Sequence, residues 1–170
     1  IAWVVLLRRE IQKQTGLIAQ RLEREAALAA SENRFLKVFN ASPDPVVIVR
    51  ASDEKMIDVN PAFERVTGYS KMEAIGQSTR ELGVWADNNI RSEALAEFRN
   101  SKPLVNFEFQ ARRKDGQLID LLGSMEWIEV NGEKCWISMV RDITAQKRAD
   151  EERRRIEATL MASEKLEAQI

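Results

Sequence analysis

The period of the hydrophobic positions changes along this chain, and each change marks a predicted element. Residues 8–38 contain one glycine and no proline, and apolar residues recur about every seven positions. This predicts one long helix with a weak two-stranded coiled-coil seam. Residues 46–50 and 55–59 are rich in apolar and β-branched side chains, which predicts two short strands. Beyond residue 144 a seven-residue stripe returns, so a second long helix is expected.

Between these segments the chain shows clear start and stop signals. Asn60 is predicted to cap a helix that Pro61 opens and Gly68 ends. Short helices are expected over 71–100, where Ile90 and residues 95 and 98 are apolar. Three strands should follow over 105–113, 118–130 and 134–143, the last two joined by the hairpin signal Asn131-Gly132. The predicted class is α+β, with an antiparallel sheet, short helices on one face and a coiled-coil helix at each end.

Alternation along the strands assigns side chains to the two faces of the sheet. Val105, Phe107, Phe109 and Ala111 are predicted to share one face. On the middle strand, Leu118 and Leu122 are assigned to one face. Four larger apolar side chains are assigned to the other face: Ile119, Leu121, Met125 and Trp127. An outer face this apolar would need cover, from the N-terminal helix or from a second subunit.

Composition excludes several kinds of chemistry. The chain is 44% hydrophobic and 31% charged, with a net charge of −1 and no basic stripe, so nucleic-acid binding is not expected. It contains no histidine, which excludes His-based nucleophilic catalysis, His-ligated metals and phosphohistidine formation within these residues. The only cysteine is Cys135. We therefore expect a regulatory segment rather than an enzyme.

The first seven residues are apolar from Ile1 to Leu7 and are followed by Arg8-Arg9. Seven residues are too few to span a bilayer, which takes about 20. The run is interpreted either as the cytoplasmic end of a membrane span or as the first turns of a soluble coiled coil.

Four short motifs, in this order and spacing, resemble the PAS domain of the S-box type, a sensory module of bacterial signalling proteins. They are Asn60-Pro61-Ala62-Phe63, Gly68-Tyr69, Lys114-Asp115-Gly116 and Arg141-Asp142-Ile143-Thr144. The resemblance covers roughly Ser31 to Thr144. It implies an N-terminal signalling helix over 1–30, a PAS sensor domain over 31–143 and a C-terminal signalling helix over 144–170.

The resemblance also implies a cavity between the sheet and the short helices. The residues expected to bind a ligand there are Trp85, Phe107, Phe109, Asp120, Leu122, Trp136, Ser138 and Val140. The alternative is that these side chains simply fill the core. Asp120 fits that alternative poorly, because an unpaired buried carboxylate is costly.

The resemblance to PAS domains also leads to expectations about cofactors. Photosensory members form a flavin adduct with a cysteine at the position of Thr79, and carry amides where this chain has Ala111, Asp120 and Val140. Flavin photochemistry and His-ligated haem are therefore not expected. FAD bound without photochemistry remains compatible with Trp85 and with Asn88-Asn89. The ligand itself is left unassigned.

The output of the module is also implied by the resemblance. Residues 141–144 resemble the signal-coupling motif, and residues 164–168 resemble the lead-in to the dimerisation helix of a sensor histidine kinase. We expect a parallel homodimer, a following kinase domain and a place on the cytoplasmic side of the bacterial inner membrane. The dimerisation residues would be Ile11, Ile18, Leu22, Ile156 and Leu160. The alternatives are a relay domain that binds no ligand, or the PAS module of a diguanylate cyclase.

Overall fold

A computed structural model describes residues 2–100 and 103–167. Its elements, in chain order, are α1 (Ala2–Ala41), β1 (Val46–Arg50), β2 (Met56–Val59), α2 (Pro61–Thr67), α3 (Lys71–Ala74), α4 (Asn88–Asn100), β3 (Leu104–Arg112), β4 (Leu118–Val130), β5 (Glu133–Asp142) and α5 (Thr144–Glu167). The chain divides between Ala41 and Ser42 into two compact units.

The first unit is the single helix α1, which confirms the predicted N-terminal helix. It continues without a break through residue 31, where the predicted PAS domain begins, and ends just before the Ser42-Pro43 step. Ile11, Ile18 and Leu22 are 57%, 60% and 60% exposed. Among residues 2–100 and 103–167, no helix combines the length and the apolar content that crossing a bilayer requires.

The second unit is built on a five-stranded antiparallel sheet in the order β2-β1-β5-β4-β3. This confirms the predicted α+β class. The β4–β5 hairpin turns at Asn131 and Gly132, whose φ angles are 52° and 79°. Two successive positive φ angles suit the right-handed twist of a hairpin, and asparagine and glycine tolerate them best.

Asn60 does more than the predicted capping. Its side-chain oxygen accepts hydrogen bonds from the Phe63 N–H at 3.1 Å and from the Val46 N–H at 2.9 Å. Its amide nitrogen donates to the Asp44 carbonyl at 3.0 Å. One fully buried side chain therefore caps α2 and also holds the first residue of β1.

The predicted faces of β4 are wrong by one residue. Phe109 pairs with Leu121 and Ala111 with Ile119, and residues directly opposite each other project from the same face. Ile119, Leu121, Met125 and Trp127 therefore lie on the inner face, under the helices. These four side chains therefore do not support the prediction that the outer face of the sheet must be covered. A one-residue error in register moves every side chain of a strand to the other face.

Two smaller predictions also need correction. Val105 is 64% exposed, and Leu104 is buried instead, because the register of β3 shifts between Leu104 and Phe107 at Asn106, whose φ is 54°. Ile90 is 43% exposed rather than part of the apolar face of α4. The seven-residue stripe predicted beyond residue 144 consists of Ala149, Ile156, Ser163 and Ile170, and Ile170 lies outside the described residues.

Candidate functional site

The inner face of the sheet and the helices above it enclose a cavity of about 70 Å³. Six of the eight predicted ligand residues line it: Trp85, Phe107, Phe109, Trp136, Ser138 and Val140. β4 contributes Leu121 and Met125 in place of Asp120 and Leu122. The location of the cavity therefore agrees with the sequence, while the residues expected from β4 do not.

Three stacked aromatic rings form one wall. The ring centroid of Trp85 lies 4.0 Å from that of Phe109, and Phe109 lies 5.2 Å from Phe107. The backbone around Trp85 is attached to the edge of β3, since the Ala86 N–H donates to the Gln110 carbonyl at 3.0 Å and the Arg112 N–H to the Val84 carbonyl at 2.7 Å. These bonds fix the position of the indole against the sheet.

A charged pair forms the polar end of the cavity. Arg91 of α4 is only 5% exposed, and its Nη2 donates to Glu54 Oε2 at 2.6 Å. Its Nε donates to the Thr79 hydroxyl at 3.1 Å. All three side chains line the cavity. Thr79, which the sequence resemblance matched to the photosensory cysteine, therefore serves here as an acceptor for a buried guanidinium.

Glu54 lies in the turn between β1 and β2 with a φ of 60°, an uncommon conformation for a residue with a side chain. Its second oxygen accepts a hydrogen bond from Arg99, so one carboxylate joins two guanidinium groups of α4. Burial alone would raise the pKa of Glu54, but the hydrogen bonds and charges of Arg91 and Arg99 lower it on balance. The carboxylate is therefore held ionised.

The sequence prediction missed Arg91 and Glu54. Arg91 carried a readable signal, because it falls four residues before Leu95 and seven before Phe98, on the buried face of α4. Glu54 gives no local signal, since it is one polar residue in a short turn. Asn88 and Asn89, considered for FAD, are exposed and do not line the cavity.

Asp120 lies on the outer face, where it contacts the start of α5. Its N–H donates to the Thr144 hydroxyl at 2.9 Å, and its carbonyl accepts from the Ile143 N–H at 2.9 Å. The Lys147 ammonium lies 3.5 Å from the Asp120 carboxylate and 2.7 Å from that of Glu108. Leu122 also faces outward, opposite Glu108 and Arg141. Neither Asp120 nor Leu122 can therefore contact a ligand in the cavity.

The predicted coupling residues form the junction between β5 and α5. Asp142 accepts hydrogen bonds from the N–H and the hydroxyl of Thr144, at 2.9 and 2.5 Å. Arg141 forms a hydrogen-bonded ion pair with Asp44 at 3.0 Å, and the Ile143 side chain is buried. Asp142 thus orders the first residue of α5.

Known proteins resemble this chain in sequence. A methyl sulfide methyltransferase-associated sensor from Methanosarcina acetivorans is 30% identical over 141 residues, 79% of this chain and 13% of that protein. The sensor histidine kinase TmoS from Ectopseudomonas mendocina is 26% identical over 159 residues, 85% of this chain and 16% of that protein. The chain thus spans less than a fifth of either relative.

Structural similarity and a family model lead to the same assignment. The crystal structure of the PAS domain of an HTR-like protein from Haloarcula marismortui matches with 25% identity and a TM-score of 0.57, covering 71% of this chain and 98% of that one. The model of the PAS domain family matches residues 43–145, which include every strand, the cavity and the junction with α5. This protein therefore belongs to the PAS domain family and is related to sensor kinases.

Proposed function

We propose that this chain is the sensory and signal-transmission module of a bacterial two-component sensor histidine kinase. A small ligand in the cavity, or a signal arriving from upstream, would be passed to a following kinase domain through α5. The observation that supports this most directly is the path of β5. Its residues Trp136, Ser138 and Val140 line the cavity, and the same strand continues into the junction at Asp142.

The contacts at the junction explain how a change in the cavity would reach the helix. The start of α5 is held to the sheet by Ile143, Thr144 and Lys147, all through β4 or the neighbouring β3. A ligand that shifts the sheet would therefore shift the first turn of α5. If α5 has two arrangements relative to the sheet, a ligand can favour one of them only by binding it more tightly than the other.

Insertions in α5 test this route in the full-length protein. Adding one to seven residues between Thr144 and Ile156 rotates everything downstream by about 100° per residue, and seven residues restore the helical phase. We expect kinase regulation to be lost or inverted at intermediate lengths and recovered near seven. Regulation that does not depend on insertion length would contradict transmission through α5.

A relay domain that binds no ligand is the second candidate, and the size of the cavity favours it. Typical ligand pockets measure about 300–1,000 Å³, whereas this cavity measures about 70 Å³ and one of its walls is three packed rings. Mass spectrometry of material released from the purified protein separates the two candidates. A retained small molecule would support the sensor, and its absence together with phase-dependent regulation would support the relay.

The same cavity argues against a large cofactor. FAD or haem would have to displace Trp85 and the phenylalanine rings from their stack. An absorbance scan through the near-ultraviolet and visible range tests this, because it reports flavin and haem together. We expect a colourless protein that does not respond to blue light, and a flavin or haem band would contradict this.

The cellular setting rests on the sequence. We propose a parallel homodimer on the cytoplasmic side of the inner membrane, anchored through a segment before Arg8. A diguanylate cyclase is the alternative output domain.

A further inference from the structure

The polar end of the cavity has one guanidinium and one carboxylate in its wall and a second guanidinium outside it. Arg91 and Arg99 share one carboxylate, that of Glu54. Among the residues that line the cavity in the described part of the chain, Arg91 and Glu54 are the charged ones. Arg99 approaches from outside and is half exposed, so water screens it far more than it screens Arg91.

Arg91 has hydrogen-bonding capacity left. Its Nε is used by Thr79 and its Nη2 by Glu54. Within residues 2–100 and 103–167, no acceptor takes a hydrogen bond from its Nη1. A guanidinium binds a carboxylate most strongly when water is excluded, and the Arg91 side chain is only 7% exposed.

The rest of the wall is apolar. It is made of the aromatic rings and of aliphatic side chains such as Val47, Leu121 and Met125. Thr67 and Ser138 are the exceptions. The Thr67 hydroxyl donates to the Phe63 carbonyl at 2.7 Å, whereas the Ser138 hydroxyl has no hydrogen-bond partner in the described part of the chain. A ligand that suits this wall has one charged group and an uncharged body.

We infer that the cavity binds a small monocarboxylate with an apolar body, such as a branched short-chain acid or a single-ring aromatic acid. This inference rests on the proposed sensory function. The carboxylate would bind Arg91, and the body would lie against the rings of Trp85 and Phe109. A volume of about 70 Å³ holds about five water-sized groups, which favours the branched short-chain acids over the larger aromatic ones.

Other ligand classes fit less well. A cation would meet the guanidinium of Arg91, and the one carboxylate on the wall is already paired. A dianion such as phosphate would lose its hydration against an apolar wall that offers it one guanidinium. A neutral ligand would give the Nη1 of Arg91 at most an uncharged acceptor, which is a weaker partner than a carboxylate.

Matched probes test the charge requirement. Isobutyrate and benzoate are compared with isobutyramide and benzamide, which have nearly the same shape without the charge, and with the cation benzylamine. Calorimetry and thermal shift on the purified protein are expected to show each acid binding at least about tenfold more tightly than its amide. A tenfold difference corresponds to about 1.4 kcal/mol. Benzylamine should not bind.

Variants identify the residue responsible. Arg91→Gln should abolish the preference for acids over amides. That change leaves Glu54 in the wall with Arg99 as its partner. The double variant Glu54→Gln/Arg91→Gln therefore provides a version in which neither charged group of the wall remains. Arg99→Gln is the matched control, since it also removes a guanidinium from Glu54 but lies outside the cavity wall. It should keep the preference.

The outcomes separate this inference from the proposed function. If amides bind as tightly as acids, or if only benzylamine binds, the cavity is a ligand site but the inference about charge is wrong. If no probe binds while insertions in α5 still control the kinase in phase, the relay function stands and the inference is wrong. Retention of the acid preference in both Arg91 variants would also overturn it.

Discussion

Gly123 shows at the residue scale how tightly the aromatic wall is packed. It lies on the inner face of β4, opposite Phe107 on one side and Val140 on the other. A Cβ at this position would lie 2.7 and 2.9 Å from two ring carbons of Phe107 and 3.2 Å from one of Phe109. The absence of a side chain at Gly123 is therefore what allows both rings to lie against the sheet.

Gly123→Ala is expected to destabilise the domain. Glycine to alanine in a strand normally gains about 0.5–1 kcal/mol, but forcing a methyl group into a packed core costs about 1–3 kcal/mol. The steric cost should therefore exceed the gain and lower the midpoint of thermal or urea unfolding. Gly16→Ala is the control, because the site is helical and a Cβ there would have no neighbouring atom within 4 Å. A rise in stability for both variants would contradict the packing argument.

Glu73 is expected to make stability depend on acid pH. A hydrogen bond from Lys114 is the largest cause that lowers the pKa of its carboxyl from 4.5 to about 2, and hydrogen bonds from Ser70 add to it. Since the folded state holds this group ionised where the unfolded state binds a proton, the contribution is present above about pH 4.5 and is lost as the pH falls towards 2.

Urea unfolding at several pH values checks this dependence. The free energy of unfolding of Glu73→Gln should fall less than that of wild type between pH 4.5 and 2. Glu157→Gln on the exposed surface of α5 is the control, because no ion pair of this residue is present in the described part of the chain. Parallel curves for wild type and Glu73→Gln would show that the Lys114 contact has no such effect.

At the scale of elements, the start of α5 depends on Asp142. Its carboxylate accepts the Thr144 N–H and hydroxyl, while Thr144 in turn accepts the Asp120 N–H. The same short segment therefore begins the helix and attaches it to β4. A change in this segment could therefore release α5 from β4 while the rest of the domain stays folded.

Asp142→Ala separates stability from regulation. Losing a helix-start carboxylate costs about 1 kcal/mol, so the domain should stay folded with a small drop in unfolding temperature. Regulation of the proposed kinase in the full-length protein should be lost. Asp150→Ala, further along α5 and paired only with Arg153 in the described part of the chain, is the control. Equal effects of both variants on regulation would contradict a special role for the junction.

At the scale of the whole molecule, the long helices expose the side chains expected to pair with a second copy. Ile18 and Leu22 of α1 are each 60% exposed, and Ile156 and Leu160 of α5 are 51% and 58% exposed. Exposed apolar side chains in a seven-residue repeat are typical of a coiled-coil seam. The motive for a dimer now rests on these helices, because the large side chains of β4 lie inside.

Ile18→Glu is expected to weaken the proposed parallel dimer. It places two like charges in the seam, whereas Gln20→Glu adds the same charge two residues away, outside the stripe. Light scattering at high micromolar concentration should give a dimer mass for wild type and Gln20→Glu and a lower mass for Ile18→Glu. A monomer mass for wild type would rule out the dimer.

Much of the architecture was present in the amino-acid sequence by itself. Prolines and glycines end the helices, Asn60 and Pro61 open α2, and the strands follow from β-branched residues and hairpin signals. The correct faces of β4 could also have been predicted from the sequence. A two-residue hairpin at Asn131-Gly132 pairs Val130 with Glu133, which places Trp127 opposite Trp136 and so on the inner face.

Only the tertiary structure decided the chemistry of the cavity. Glu54 and Arg91 are separated by 37 positions, and their contact exists because α4 lies against the β1–β2 turn. The three-ring wall depends in the same way on the attachment of Trp85 to the edge of β3. Local patterns reflect interactions between near neighbours in the chain, whereas these contacts depend on how distant elements pack, so no repeat or motif encodes them.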